Sequence, residues 1–198
     1  KIYNVSAEFD KLSASLETVT GSQQAASEAF ATIQEFTKTT PFQLSEVTDA
    51  FIKMKAMGLD ASEGALRSYG NTASAMGKSL NQMIEAVADA ATGEFERLKE
   101  FGIKSRQEGD NVTFTFRGVS TTVRKETEAI EAYLRRLGDV DFAGGMERQM
   151  ETLGGNMSNL QDAFDQMIRT MVDSGSIGQA ISGMTSLIET FTHIPRSY

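Results

Sequence analysis

Apolar side chains recur at helical spacing from the first residues of this chain. Ile2, Val5, Phe9, Leu12, Leu16 and Val19 are separated by three, four, three, four and three positions, an a/d seam nearly three heptads long. A seam this narrow buries only a stripe, so it needs a partner helix, from a second copy or from its own domain. Self-association through these six residues is the expectation, with Gly21 ending the helix. A second helix is predicted from Ser22 to Lys38, with Ala26, Ala29, Phe30, Ile33 and Phe36 on one face. Thr39-Thr40-Pro41 stops it, because a residue before proline avoids the α region. The third helix runs from Ser45, its expected N-cap, to Met57, with Gly58 just beyond and Val47, Phe51 and Met54 inward. Asp60-Ala61-Ser62-Glu63 has capping-box spacing, with Asp standing for Ser or Thr, and opens a helix ending at Gly77. Its apolar face is Leu66, Tyr69, Ala73 and Met76. Ser79 and Gln82 repeat the capping logic for a helix ending at Gly93, and a short turn from Glu94 to Phe101 closes at Gly102. Successive helices that each end in Gly describe a bundle with tight connections over residues 22–102.

The period then changes. Between Ile103 and Val123 the chain alternates, with Val112, Phe114 and Phe116 on one side and Thr113, Thr115 and Arg117 on the other. Turns at Glu108–Asn111 and Arg117-Gly118 make this a small antiparallel meander of two or three strands, whose Phe114 and Phe116 must pack on neighbouring helices. Helix resumes at Arg124, with Ile130, Tyr133, Leu134 and Leu137 inward and Gly138 at its end. Phe142 to Leu153 reads as helix, interrupted at its start by Gly144-Gly145 and ended by Gly154-Gly155. Two further amphipathic stretches carry Met157, Leu160, Phe164, Met167 and Met171, then Ile177, Ile181, Met184, Leu187, Ile188 and Phe191. The predicted class is mainly α: a heptad-patterned helix over 1–20, a helical bundle over 22–102, an inserted β-meander over 103–123, and partner-seeking helices over 124–198. Those last helices either extend the chain or fold back on the bundle.

Composition narrows the chemistry. The 198 residues, 40% apolar, suffice for one ordinary core or two small ones. Nineteen basic against twenty-seven acidic residues, net −8, run opposite to the bias of a phosphate-gripping domain. With no Cys and a single His, His193, disulfides, thiol nucleophiles, Cys-based zinc sites and most Ser/His/Asp chemistry fall away. No apolar run approaches the ~20 residues of a membrane-spanning helix, and no signal peptide opens the chain. A first residue of Lys rather than Met suggests an excised fragment. Glu94, Glu96 and Glu100 read as a solvated face rather than paired catalytic carboxylates. Asp139-Val140-Asp141 opens like a calcium loop but places Met150 where a bidentate Glu is needed. A helix-turn-helix over 43–77 would bring only Arg67 and Lys78, against Glu63, to a major groove. The expectation is therefore no enzyme, no cofactor and no metal.

The order of motifs, however, resembles a known family. Thr40-Pro41-Phe42, then Leu44 and Val47, then a helix ending at Gly58, are similar to the conserved N-terminal domain of tape measure proteins, long helical proteins inside the tails of bacteriophages and prophages. The similarity continues through Leu66, Gly70, Ala73 and Gly77, then Ala88, Gly93-Glu94, Leu98 and Phe101-Gly102-Ile103. It resumes with Gly145-Met146, Thr152, Leu153, Gly155, Leu160 and Asp162, covering residues 22–172. No single motif is specific; their order and spacing are. Pro41, Phe42, Gly58, Gly77, Gly93, Gly102 and Gly155 are its structural positions. The resemblance implies an assembly role: such proteins extend along the tail lumen, help tail-tube subunits assemble, and set tail length by their own length. It implies a tail-tube protein, tail assembly chaperones and further copies of the chain as partners. It also implies a place in the virion tail, with the bacterial cytoplasm as the site of assembly. Neither the family's long helical ruler nor the muramidase or peptidase domains of some members occurs within these residues, so a folded module attached to the ruler is expected. The alternative is a membrane-acting or cell-wall-hydrolase accessory module used in genome delivery.

Overall fold

Helices of nine to nineteen residues set the architecture of this chain. The computed structural model describes residues 2–153, with side chains from Asp10 to Thr152. The chain divides into two compact units, one of them formed by Leu12–Thr152. Helices α1 (Ile2–Thr20), α2 (Gln23–Lys38), α3 (Leu44–Ala56), α4 (Glu63–Ala75) and α5 (Leu80–Ala91) come first, followed by a 3₁₀ turn (Glu96–Phe101). Strands β1 (Ile103–Glu108), β2 (Asn111–Phe116) and β3 (Val119–Arg124) come next, then α6 (Thr127–Arg136), a π turn (Leu137–Asp141) and α7 (Gly145–Leu153). The expected class, an α-helical bundle with an inserted antiparallel meander, is the observed one.

Local chemistry explains each stop. Beyond α3, Gly58 has φ +71°, its N–H donates to the Lys55 carbonyl at 3.2 Å, and the Leu59 N–H donates to the Met54 carbonyl at 2.8 Å. This is the Schellman closure, and the buried Leu59 side chain completes it. The same pair of bonds closes α4 around Gly77 and α5 around Gly93. At the other end of α5, Ser79 and Gln82 form the expected reciprocal capping box. Two expected starts move. Ser45 does not cap α3: the helix takes in Leu44, which packs against the core, and begins after Gln43, whose side chain caps nothing. Ser62, not Asp60, caps α4, while Asp60 accepts from the Ser62 N–H and hydroxyl at 2.9 and 3.0 Å, a turn ahead of the cap.

The sheet runs in the order β1-β2-β3, antiparallel throughout. Its β2–β3 connection has Arg117 at φ +48° and Gly118 at φ +80°, the two-residue pattern whose twist suits a hairpin. Val112, Phe114 and Phe116 face inward as expected and are buried. Phe114 stacks on Tyr133 of α6 with centroids 4.7 Å apart and meets Phe95 edge-on at 5.5 Å, so the meander is anchored by aromatic contacts with helices.

The predicted helix from Arg124 to Gly138 is corrected at both ends. Arg124 is the last residue of β3, and α6 begins at Thr127. Gly138 does not end the helix. The chain continues into the π turn, with the Phe142 N–H donating to the Leu137 carbonyl at 2.8 Å. Gly138 is buried against α4, where a Cβ would collide with the Ser68 carbonyl and hydroxyl oxygens. Likewise, α7 begins at Gly145 rather than Phe142, and a Cβ on Gly145 would collide with the Asn71 carbonyl oxygen. The pair Gly154-Gly155 and the amphipathic stretches beyond it lie outside the described residues.

Gly138→Ala should therefore destabilise the fold by about 3 kcal/mol, since backbone rather than a pliable side chain stands in the way. Gly77→Ala, strained only by its positive φ in open space, should cost about 1 kcal/mol. Urea unfolding of the two variants checks the ranking.

Candidate functional site

The a/d seam is the first candidate. Leu16 is 2% exposed within the core and Val19 packs against it, so the C-terminal end of the seam is occupied by the chain's own helices. Leu12 is half-buried. The backbone of Ile2, Val5 and Phe9 lies in α1, while their side chains lie outside the described residues.

The family positions form a framework rather than a reactive centre. Half-buried Pro41 leads into buried Phe42, whose ring stacks on Phe36 with centroids 6.4 Å apart and approaches Gly70 of α4 so closely that a Cβ there would stand 3.0 Å from it. Gly58, Gly77, Gly93 and Gly102 all hold positive φ at the ends of helical segments. Gly155 lies outside the described residues.

Candidate chemistry is dispersed. Glu94, Glu96 and Glu100 are exposed, with Glu96 paired to Lys99 at 2.6 Å and Glu100 to Lys78 at 3.8 Å. Arg67, a candidate for groove contact, instead pairs with Glu63 at 3.1 Å and lies over the Phe36 ring. Asp139 is exposed and Asp141 half-buried. No group of three or more metal-ligating side chains forms among the described residues, and no helix among them is long and apolar enough to cross a membrane. His193 lies outside them.

Two polar clusters are not apparent from the sequence. Glu85 of α5 accepts from Lys53 of α3 at 2.7 Å and from Arg97 of the 3₁₀ turn, and Arg97 also pairs with Asp89 at 2.8 Å. The bond from Lys53, with help from Arg97, holds the Glu85 carboxyl below its usual range. The second cluster centres on a buried carboxylate. Glu131 of α6, 8% exposed, accepts through Oε1 from the Asp60 N–H at 3.2 Å and the Tyr69 hydroxyl at 3.4 Å. Arg135, one turn on, pairs with Asp60 at 2.6 Å. Desolvation, and then the nearby Asp60 charge, push the Glu131 carboxyl above its usual range against those hydrogen bonds. Burial likewise pushes the Tyr69 hydroxyl up, so it stays a donor. Periodicity hides Glu131 because it sits beside Ile130 and three positions before Leu134, at the margin of an apolar stripe.

A raised carboxyl pKa means that the folded chain holds its proton more tightly than the unfolded one. The contribution of Glu131 is therefore fully favourable below the unfolded pKa and is lost as pH rises through the folded value. Glu131→Gln should remain within about 1 kcal/mol of the parent at neutral pH, because its amide oxygen can accept the same bonds. The parent should gain on this variant as pH falls through the raised pKa. Glu131→Leu should lose about 2 kcal/mol by stranding the buried Tyr69 hydroxyl and the part-buried Asp60 N–H. Denaturant titrations across mildly acidic to neutral pH measure all three.

Three comparisons bear on the whole chain. The profile of a family described as "Tape measure protein" matches residues 1–173. A Haemophilus influenzae protein, "Mu-like prophage FluMu protein gp42", is 24% identical over 185 residues, covering 86% of this chain and 29% of that protein. This chain thus spans less than a third of the length of the curated relative it matches. No solved structure matches. With the profile spanning most of the chain in the order of motifs that the sequence displays, this chain belongs to the tape measure protein family.

Proposed function

We propose that these residues are an assembly module of a phage or prophage tail tape measure protein, attached to a longer helical region whose length sets the length of the tail. The family match over residues 1–173 carries this reading, and the relative's prophage origin agrees with it. The family is structural, and the module's work is recognition rather than catalysis. Its partners are the tail-tube protein, whose subunits assemble around the extended region, and tail assembly chaperones. It acts in the bacterial cytoplasm during assembly and in the virion tail afterwards. An α-helix rises ~1.5 Å per residue, so a helical ruler converts residue number directly into distance.

Self-association through α1 belongs to the same proposal, confined to the N-terminal end of the seam. Leu16 and Val19 serve the core of this unit, and in this proposal Ile2, Val5, Phe9 and Leu12 face a second copy.

In-frame deletions in the helical region of the complete gene should shorten tails by ~1.5 Å per residue removed, measured by electron microscopy. Tails of unchanged length would overturn the ruler reading. Ile2→Ser, Val5→Ser and Phe9→Ser together should lower the mass measured by light scattering while leaving the thermal midpoint unchanged. An unchanged mass removes the seam from the proposal.

A further inference from the structure

The meander carries a charge opposite to that of the rest of the chain. Residues 103–125 contain five basic and two acidic side chains, which leaves fourteen basic and twenty-five acidic residues elsewhere. The antiparallel register gathers part of this excess on one face. Lys104 is opposite Thr115, which is opposite Ser120; Arg106 is opposite Thr113, which is opposite Thr122; Arg124 is opposite Asn111. Directly opposed residues share a face, and this is the face away from buried Val112, Phe114 and Phe116. Its centre is a pair of hydroxyl contacts, Thr113 with Thr122 and Thr115 with Ser120, both at 2.8 Å. Its cations are exposed; Arg106 and Arg124 have carboxylate neighbours in Glu108 and Glu126, while Lys104 has none among the described residues.

Acidic side chains of opposite charge lie on the same chain. Between Leu12 and Thr37 there are three acidic residues, Glu17, Glu28 and Glu35, and no basic one. All three are exposed, and Glu35 meets Lys38 at the end of α2 at 3.4 Å. Glu28 and Glu35 stand seven positions apart on α2, hence two turns apart on one stripe, away from its buried Ile33 and Phe36. A polyanion such as duplex DNA would meet three cations here on a chain of net charge −8, whereas a second copy offers carboxylates of opposite charge on α1 and α2.

We propose that the outer face of the sheet docks on the acidic α1–α2 surface of a second copy of this chain, through Lys104, Arg106 and Arg124 against Glu17, Glu28 and Glu35. Because the two patches differ, the contact either forms twice about a two-fold axis in a closed dimer or runs head-to-tail into a ring or an open stack. It depends neither on the tape measure reading nor on the α1 seam. A seam contact is apolar and withstands salt, whereas this one weakens as salt screens it.

The test is a charge swap, read by light scattering on the 198-residue chain at ~10 mM salt, where screening acts over ~30 Å, and at ~1 M, where it acts over ~3 Å. The parent should show a mass above that of the monomer, rising with concentration at low salt and falling at high salt. Variant K104E/R106E/R124E and variant E17K/E28K/E35K should each lose this salt-sensitive association. An equimolar mixture should regain it, since the reversed sheet meets a reversed helix surface and the native sheet meets a native one. Circular dichroism melts matching the parent confirm that both variants fold; should either fail to, the single reversals Arg106→Glu and Glu28→Lys carry the same mixing test. Monomers at low salt, no recovery on mixing, or salt-sensitive DNA binding by a chain that stays monomeric would each overturn the proposal, leaving the charges as guards against edge-to-edge sheet pairing.

Discussion

Backbone set against backbone at α4 is the constraint on which the rest of this structure depends. Gly138 lies on Ser68 and Gly145 on Asn71, closer than any side chain would allow. Polar groups fix the same approach: the Ser68 hydroxyl donates to the Arg135 carbonyl at 2.5 Å, and the Asn71 side chain both accepts from the Met146 N–H at 3.2 Å and donates to the Gly138 carbonyl at 3.4 Å. Buried polar groups satisfied in this way specify one arrangement where apolar packing alone would tolerate several. The chain between Leu137 and Met146 is thereby held to a helix some seventy residues earlier in sequence, and α6 and the sheet are held with it.

The sheet enters the core through this arrangement. Phe116 meets Phe142 with ring centroids 5.1 Å apart, and Phe142 follows directly on the π turn. Arg117 lies over both rings, at 5.0 and 5.8 Å from their centroids, so a cation covers the tilted aromatic pair. Phe114 makes the equivalent connection to α6 through Tyr133. Three short strands with little stability of their own are thus held by helices on the side where they are apolar, and their polar side stays available.

The elements legible in the sequence are those fixed by neighbours within about five residues. Gly58, Gly77 and Gly93 mark their helix ends, Ser79 and Gln82 announce a helix start, and the alternation from Val112 to Phe116 gives both a strand and its buried face, because each is set by local backbone chemistry. Ser45, Asp60 and Gly138 misled for a common reason. Each has a residue type suited to a boundary, and what decided its place was a distant partner or the packing of an adjacent apolar residue. Gly138 in particular looks the same in sequence whether it supplies a left-handed turn or a gap for another helix. Among candidate sites, the seam was legible as a pattern, but the commitment of Leu16 and Val19 to the chain's own core was not. Glu131 was invisible, since its meaning lies in the Asp60 N–H and Tyr69 hydroxyl that reach it across the fold. The family resemblance succeeded where single motifs were mute, because an ordered set of helix stops encodes a path of the chain.

Those helix stops bear on arithmetic as well as on shape. Each closure by Gly58, Gly77 or Gly93 ends a helix after a few turns, so the compact unit formed by Leu12–Thr152 spends 141 residues on short elements rather than on one long helix. Drawn out as one helix they would reach ~210 Å, whereas a domain of that size has a radius of gyration of about 14 Å. In the proposed ruler, whose residues are counted out as distance, such a module is an offset. Across relatives of different size, tail length plotted against gene length would then be a straight line that misses the origin, and the residues at zero length would measure how much of each protein is folded rather than extended.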